Sequence, residues 1–398
     1  MKYDPSERAM SVISGREGLS RRKFLTECIR WSACAIASNI AFAGPWVRKA
    51  HAEEVQRKLG FIRPRLSAFF VPLDDQHVRC TLCPRECEVG PGKRGYCGVR
   101  ENRDGRYYTL VYGNPCAVHV DPIEKKPFFH VLPKSRSFSI ATAGCNFDCK
   151  FCQNWEISQT SPEETVNFDL PPQMIADLAS HYQCRSIAST YVEPTIFFEY
   201  MVDVGIEARK RGILNVYHSN GYINPEPLER LTQSLDAACI DLKAFSEEFY
   251  RTMTEGTLAP VLETLRTFRR KGIHLEIVNL MIPMKNDDME KVREMTVWIK
   301  ENLGPEVPLH FTRFYPMYKL RNLPPTPVKT LEEARKIAIS TGLEYVYIGN
   351  VPGHEGESTF CPRCRELVIR RTGYTIQQIH LEDGKCKYCG KPIPGIWG

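Results

Sequence analysis

From Ser137 onward the sequence alternates between short runs rich in β-branched residues and longer stretches with helical periodicity. Seven runs have the pattern of strands: SFSIAT (137–142), SIAST (186–190), NVYHS (215–219), ACIDLK (238–243), HLEIVNL (274–280), LHFTRF (309–314) and YVYIG (345–349). Several helical stretches between them begin at Pro or Asp and end at Gly. Repeated βα units with right-handed crossovers form a parallel sheet, and six or more tend to curl into a barrel. We therefore predict an α/β fold with a partial (β/α) barrel; a doubly wound open sheet is the alternative, although no G-x-G-x-x-G follows the first strand.

The 16 cysteines of this 398-residue chain are concentrated in three groups. Tight C-x-x-C spacings in a chain of this length favour metal sites over a disulfide scaffold. The chain is 42% hydrophobic, which is enough for a sizeable core. Its formal net charge of +6 is mild for this length, and we expect no nucleic-acid partner.

The central group follows the first predicted strand directly, as Cys145-x3-Cys149-x2-Cys152. Zinc sites and most iron–sulfur clusters use four protein ligands, whereas this loop supplies three thiolates. A four-iron cluster held by three thiolates keeps one iron open to a substrate or cosubstrate. A zinc knuckle with a distant fourth ligand is the alternative.

The same loop, with Phe151 before the last cysteine, resembles the signature of radical S-adenosylmethionine (SAM) enzymes. In that family the amino and carboxylate groups of SAM chelate the open iron, and the reduced cluster cleaves SAM to methionine and a 5′-deoxyadenosyl radical. The resemblance implies that Cys145, Cys149 and Cys152 are catalytic ligands of a [4Fe-4S] cluster. It also implies that Phe151 lies near the adenine.

Five residues at the ends of later strands resemble SAM-binding positions of the same family. Glu193 in STYVEPT matches the acidic motif that accepts a hydrogen bond from the SAM amino group. Ser219 and Asn220 in HSNGY match contacts to the ribose or carboxylate of SAM. Asp241 and Lys243 in IDLK match the SAM-contacting pair of glycyl-radical activating enzymes, including pyruvate formate-lyase activase; an ordinary buried ion pair is the alternative.

The C-terminal group has the spacing C-x2-C-x21-C-x2-C, with Cys361, Cys364, Cys386 and Cys389. Two such knuckles separated by a hairpin-like segment are typical of a zinc ribbon, in which the metal supplies the folding energy that a small module lacks. A second iron–sulfur cluster is the alternative.

The N-terminal group has the spacing C-x2-C-x3-C-x9-C, with Cys80, Cys83, Cys87 and Cys97. Four thiolates in so short a span, with Gly and Pro to turn the backbone, predict a closed metal site. The spacing alone does not decide between zinc and an iron–sulfur cluster.

The combination of motifs resembles the radical SAM member of the AmmeMemoRadiSam system. The matching segments are CTLCPREC, DPIEKKPFFHVLP, ATAGCNFDCKFCQNWEISQ, YVEPT, IGNVPGHEGESTFCPRC and GKCKYCGKPIPG. The resemblance implies a radical SAM barrel related to glycyl-radical activases, with Memo-type and AMMECR-type proteins as partners. It also implies a low-potential electron donor, such as a flavodoxin- or ferredoxin-like protein. The substrate is not implied.

The N-terminal segment resembles a twin-arginine export signal. SRRKFL (20–25) precedes an apolar run that ends in Ala-Phe-Ala at 41–43 and is too short to cross a bilayer. A cytoplasmic helix with a chance Arg-Arg pair is the alternative. We expect assembly and activity in the cytoplasm, with export through this signal as the other outcome, and no transmembrane segment elsewhere.

The predicted domains are a leader (1–43), a connector (44–79), a cysteine-rich module (80–130), a radical SAM barrel core (131–355) and a zinc-ribbon-like module (356–398). The predicted function is reductive SAM cleavage that starts hydrogen abstraction from an unidentified protein or small molecule. The competing hypothesis is a non-catalytic binding module stabilised by zinc.

Overall fold

The structure is a computed structural model that describes residues 55–398. The predicted leader and residues 44–54 of the predicted connector lie outside the described residues. Residues 56–398 form one compact unit. Within the described part of the chain, no helix combines the length and apolar character needed to cross a membrane.

Seven short strands precede the main sheet. They are β1 Arg57–Leu59, β2 Arg65–Leu66, β3 Phe70–Pro72, β4 Val78–Cys80, β5 Glu88–Val89, β6 Arg100–Arg103 and β7 Arg106–Thr109. They form two small antiparallel sheets, in the orders β3-β4-β5 and β2-β7-β6, while β1 pairs with a later strand. Strands of two to four residues are too short to show alternation, so sequence analysis predicted a connector where several of them lie.

The main sheet has eight strands and includes all seven that the sequence predicted. They are β8 Ala117–Pro122, β9 Arg136–Ala141, β11 Ser186–Ser189, β12 Leu214–Ser219, β13 Ala237–Asp241, β14 His274–Met281, β15 Leu309–Arg313 and β16 Val346–Gly349; β10 Val166–Phe168 pairs with β1 outside this sheet. The order is β16-β15-β14-β13-β12-β11-β9-β8. Strand β9 and strands β11–β16 are parallel, and β8 is antiparallel to β9.

Strand β8 was not predicted, and it places residues 117–122 in the main sheet rather than in the predicted module at 80–130. Its residues are mostly half-buried because the strand lies at an edge, so the alternation that marks a strand is weak. Among the described residues no ladder joins β8 to β16, so the sheet is not a closed barrel. Curvature into a partial barrel stays a prediction.

In the described part of the chain, eight α-helical segments accompany the sheet: α1 Trp155–Ser158, α2 Pro172–His181, α3 Phe198–Arg209, α4 Pro225–Thr232, α5 Glu247–Phe249, α6 Ala259–Arg270, α7 Met289–Asn302 and α8 Val328–Ser340. A π-helical turn at Tyr250–Thr254 follows α5. Start signals predicted from the sequence operate here: the Asp288 carboxylate accepts hydrogen bonds from the first backbone N–H groups of α7. Prolines occupy the first turn of α2, α4 and α6.

The core on one face of the sheet is closed by the segment after β8. Ala188, Val216 and Cys239 share this face and pack with Phe128 and Val131. The segment is held by the buried carboxylate of Glu276 in β14, which accepts the backbone N–H groups of residues 129 and 130 at 3.0 and 2.8 Å. This arrangement fills the end of the sheet where the parallel strands begin and leaves their carboxyl ends for a site.

The C-terminal residues form two small antiparallel sheets. Strands β17 Thr359–Phe360, β18 Leu367–Thr372 and β19 Thr375–Ile379 make the first, and β20 Leu381–Glu382 and β21 Lys385–Cys386 make the second. Their cysteines share a buried cluster with Phe129, Tyr345 and Tyr347. The C-terminal segment therefore packs on the β16 edge region rather than standing apart.

Candidate active site at the carboxyl ends of the strands

The three-cysteine loop lies between β9 and α1 and is held by backbone hydrogen bonds. The N–H of Asp148 donates to the carbonyl of Thr254 at 3.1 Å, and the N–H of Lys150 donates to that of Met253 at 3.0 Å. The loop is thus paired along its middle with the π-helical turn after α5. It follows β9 directly, at the edge where parallel sheets place their functional loops.

Two glycines allow the loop to pack closely. A Cβ on Gly144, which has φ +91°, would lie 2.5 Å from the carbonyl oxygen of Cys97. A Cβ on Gly256 would lie 2.3 Å from the ring of the buried Phe147. Because any larger residue would clash at either position, both fix the path of the loop.

The three thiols differ in their immediate partners. The backbone N–H of Phe147 donates to Cys145 Sγ at 3.4 Å, and Cys152 Sγ lies 3.3 Å from the Ser158 hydroxyl. Burial raises the pKa of all three, with that of Cys149 at about 12. Binding to a metal would reverse this shift, because the thiolate is the form that coordinates.

Glu193 lies buried between the ends of β11 and β12. One carboxylate oxygen accepts hydrogen bonds from Ser219 Oγ at 2.7 Å and from the N–H of Thr195 at 2.9 Å, and the other accepts the N–H of Asn220 at 2.8 Å. Burial raises its pKa, and its charge in turn raises the pKa of Cys145. The Tyr217 hydroxyl also donates to the first oxygen, at 3.3 Å. The second oxygen has about two acceptor positions and accepts one hydrogen bond, so one position remains on it for a further donor.

The side chains of Ser219 and Asn220 form hydrogen bonds with other residues of the protein. The Ser219 hydroxyl donates to Glu193 and accepts the N–H of Gly221 at 2.9 Å. The Asn220 amide donates to the side chain of Asn146 in the cysteine loop at 2.8 Å. The structure therefore brings both predicted residues to the site, where they connect Glu193 to the loop.

Asp241 is the last residue of β13, so Lys243 lies beyond the strand on which both were predicted, yet the two side chains are 2.8 Å apart. His218 Nε2 lies 3.2 Å from the other Asp241 oxygen. Burial opposes ionisation of Asp241, but Lys243 and His218 outweigh it and hold its pKa below the usual range. Burial likewise opposes the charge of Lys243, but Asp241 and the Cys149 thiolate raise its pKa above the ordinary value. The pair is thus an ionised one that borders the cysteine loop.

Phe151 is buried in the loop, with its ring centroid 5.9 Å from that of Phe249. Lys243 Nζ lies 5.9 Å from the centroid of Phe151. Phe249 and Lys243 therefore both lie next to Phe151 in the cysteine loop.

The four C-terminal cysteines form a compact set. Their sulfur atoms all lie within 4.8 Å of one another, and two pairs, Cys361–Cys389 and Cys364–Cys386, are 3.5 and 3.7 Å apart. Zn–S bonds of about 2.3 Å place tetrahedral sulfurs about 3.8 Å apart. The set could therefore bind a single metal ion. In the part of the chain that the structure describes, no other three His, Cys, Asp or Glu residues meet so closely.

Comparisons with known proteins identify the family. The model of the radical SAM superfamily matches residues 139–299, which contain the cysteine loop and the residues that surround it. An uncharacterized protein of Methanocaldococcus jannaschii is 46% identical over 331 residues, which are 83% of this chain and 98% of that protein. The chain belongs to the radical SAM superfamily.

More distant radical SAM relatives include activating enzymes. A pyruvate formate-lyase-activating enzyme of Listeria monocytogenes is 23% identical over 178 residues, which are 41% of this chain and 69% of that enzyme. The crystal structure of a radical SAM methyltransferase from Sphaerobacter thermophilus has 12% identity and a TM-score of 0.44, covering 74% of this chain and 80% of that chain. The matches to the family model and to the Listeria enzyme show a radical SAM domain with homology to pyruvate formate-lyase activating enzymes.

A radical SAM domain implies a [4Fe-4S] cluster and SAM, and the residues present fit both. Three thiols lie on one loop without the close mutual packing of the C-terminal four. Within the described residues, no carboxylate or imidazole joins them in a compact ligand set. The donor set suits a cluster with one open iron better than a tetrahedral ion.

Sequence reasoning missed two residues of this candidate site. His218 was not selected because a single histidine in a strand carries no motif, yet the register of β12 and β13 brings it to Asp241. Asn146 was not selected although it sits inside the motif, and it links the loop to Asn220. The only sequence signal for His218 was the alternation along β12, which places His218 and Val216 on the same face of the strand.

Proposed function

We propose that this chain is a radical SAM enzyme in which Cys145, Cys149 and Cys152 hold the [4Fe-4S] cluster. When bound, the cluster and SAM supply a 5′-deoxyadenosyl radical that abstracts hydrogen from a protein or small-molecule substrate. The observation that carries the proposal is the position of three thiols on one loop at the carboxyl end of β9, bordered by Glu193 and Lys243.

The chain's own residues have distinct roles in this proposal. The remaining acceptor position of Glu193 suits the ammonium of SAM, because an anionic acceptor strengthens such a hydrogen bond. Ser219 and Asn220 hold Glu193 in place, and through this they act on SAM. Lys243, paired with Asp241, suits the carboxylate of SAM and offsets the negative charge of the Cys149 thiolate. Phe151, in the same loop, is proposed to lie near the adenine of SAM.

The reaction type is proposed to be that of a glycyl-radical activase-like enzyme. The homology to pyruvate formate-lyase activating enzymes and the Asp241–Lys243 pair support it. The proposal includes a place in the AmmeMemoRadiSam system, with Memo-type and AMMECR-type partners, supported by the motifs from CTLCPREC to GKCKYCGKPIPG. It also includes a flavodoxin- or ferredoxin-like electron donor and activity in the cytoplasm.

The C-terminal cysteines are proposed to hold one structural zinc. The support is the sulfur geometry, because distances of 3.5 and 3.7 Å match tetrahedral coordination. The site is proposed to be closed, with no coordination position for a substrate.

The test is SAM cleavage by anaerobically purified protein reduced with dithionite. We expect brown protein that forms 5′-deoxyadenosine and methionine from SAM. Cys149→Ala should abolish both the central cluster and SAM cleavage, whereas Cys184→Ala, a buried cysteine outside the three groups, should preserve them. Colourless protein that contains only zinc would instead support the competing hypothesis of a binding module.

A further inference from the structure

Cys80 is the last residue of β4, and Cys83, Cys87 and Cys97 lie in the segments that follow it. The N–H of Cys80 donates to the carbonyl of Cys87 at 3.0 Å, and a turn closes from the N–H of Glu86 to the carbonyl of Cys83 at 3.0 Å. A Cβ on Gly95 would lie 3.6 Å from Cys87 Sγ, so the segment that carries Cys97 packs against the segment that carries the other three cysteines. No disulfide joins them.

These thiols are spaced differently from the C-terminal four. The C-terminal sulfurs lie within 4.8 Å of one another, while no three of the N-terminal sulfurs do, within the residues described. A single tetrahedral ion requires its sulfur ligands to lie about 3.8 Å apart. Two thiolates that bind the same iron of a cluster are held at a similar distance. Thiolates that each bind a separate iron are held farther apart by the inorganic core.

The surroundings suit an anionic cluster. The backbone N–H of Tyr96 donates to Cys87 Sγ at 3.4 Å. Hydrogen bonds to the sulfurs and nearby charge are the features by which a protein stabilises an iron–sulfur cluster.

We propose that Cys80, Cys83, Cys87 and Cys97 bind a second four-iron, four-sulfide cluster, with one thiolate on each iron. This cluster is separate from the one proposed at Cys145, Cys149 and Cys152, and all four of its irons have protein ligands. The assignment does not depend on SAM cleavage, so it can hold or fail independently of the proposed function.

The second cluster lies directly beside the three-cysteine loop. The carbonyl of Cys97 is 2.5 Å from the Cβ position of Gly144, and one residue step of about 3.8 Å separates Gly144 from Cys145. Arg85, between two of the four cysteines, donates to the carbonyl of Asn146 at 2.6 Å. The two cysteine segments therefore pack against each other through their backbones.

The experiment measures iron, acid-labile sulfide and zinc per chain in full-length protein purified anaerobically and reconstituted with ferrous iron and sulfide. We expect about eight irons, about eight sulfides and about one zinc per chain. About four irons per chain that are lost in Cys149→Ala but kept in Cys83→Ala would overturn the proposal, whereas four irons lost in Cys83→Ala but kept in Cys149→Ala would contradict the proposed function instead. The expected ratio is read on the unmodified chain, so it does not depend on the folding of a variant.

Variants assign the irons to their sites. Cys83→Ala and Cys149→Ala should each lower the iron content by about half, and the double variant should hold almost none, while zinc stays constant. Cys184→Ala is the matched control and should keep the full content. A Cys83→Ala protein that keeps all its iron but loses a zinc would refute the assignment.

Discussion

The carboxylate of Glu193 accepts a hydrogen bond of 2.8 Å from the backbone N–H of Asn220, which joins the loop after β11 to the end of β12. Asn220 in turn donates to Asn146 in the cysteine loop. A single buried carboxylate thus links two strand ends to the segment that carries the three thiols.

Replacing Glu193 with Gln should weaken SAM binding by about 10- to 100-fold. The substitution removes a charge-assisted hydrogen bond, worth about 1.5–3 kcal/mol, and keeps the shape of the side chain. The measurement is the SAM dissociation constant by calorimetry on protein of equal iron content. Glu226→Gln, on an exposed position of α4, is the control. Unchanged affinity in Glu193→Gln would contradict the assigned role.

Replacing Lys243 with Met should destabilise the protein by about 3 kcal/mol, because it leaves Asp241 largely buried without its cation. The double variant Asp241→Asn/Lys243→Met should recover most of this loss and still bind SAM poorly. Denaturant titration gives the stability, and calorimetry gives the affinity. If the double variant bound SAM normally, the pair would be only structural.

Replacing Gly256 with Ala should lower the occupancy of the central cluster. The added Cβ would lie 2.3 Å from the Phe147 ring and would displace the loop that carries Cys145 and Cys149. Iron content per chain is the measurement. Gly90→Ala, whose Cβ would meet only the exposed ring of His77 at 3.0 Å, should change it little. Equal iron in both variants would show that the contact does not shape the loop.

Replacing Cys386 with Ala should remove one zinc and lower the melting temperature, with the visible iron–sulfur spectrum retained. Cys386 belongs to a buried cluster with Tyr345 and Tyr347, so the loss of the metal should loosen the β16 edge region. Elemental analysis and thermal unfolding test this. Loss of iron instead of zinc would assign an iron–sulfur cluster to this group.

Stability should fall between pH 7 and pH 5 because of His130. Burial lowers its pKa to about 3, and its ring accepts a hydrogen bond from the Tyr347 hydroxyl at 2.6 Å. Unfolded histidine titrates near 6.5, so below that pH the unfolded chain binds one more proton than the folded chain and the free energy of unfolding decreases. The slope contributed by this residue approaches about 1.4 kcal/mol per pH unit.

Denaturant titrations at pH 7, 6 and 5 measure this slope. His130→Gln should reduce it, and His77→Gln, at an exposed position, should leave it as in the unmodified chain. Equal slopes in all three proteins would exclude His130 as the source.

The seven parallel strands could be predicted because each has a local pattern of β-branched residues, flanked by helical stretches with recognisable start and stop signals. The three-cysteine motif could be predicted because it depends on spacing along a few residues. The proximity of Asp241 and Lys243 was predicted for a strand that in fact ends at Asp241. Strand β8 and the small strands before it could not be predicted, because short or edge strands carry too little periodicity.

The sequence by itself determined the order of βα units, the grouping of the cysteines and the residue types at the ends of the strands. Only the tertiary structure decided that His218 meets Asp241, that Ser219 and Asn220 hold Glu193, and that Cys97 packs on Gly144. It also decided that the C-terminal sulfurs converge as around one ion while the N-terminal sulfurs do not. Spacing records which groups can meet, whereas distances between groups far apart in the chain depend on strand register and packing.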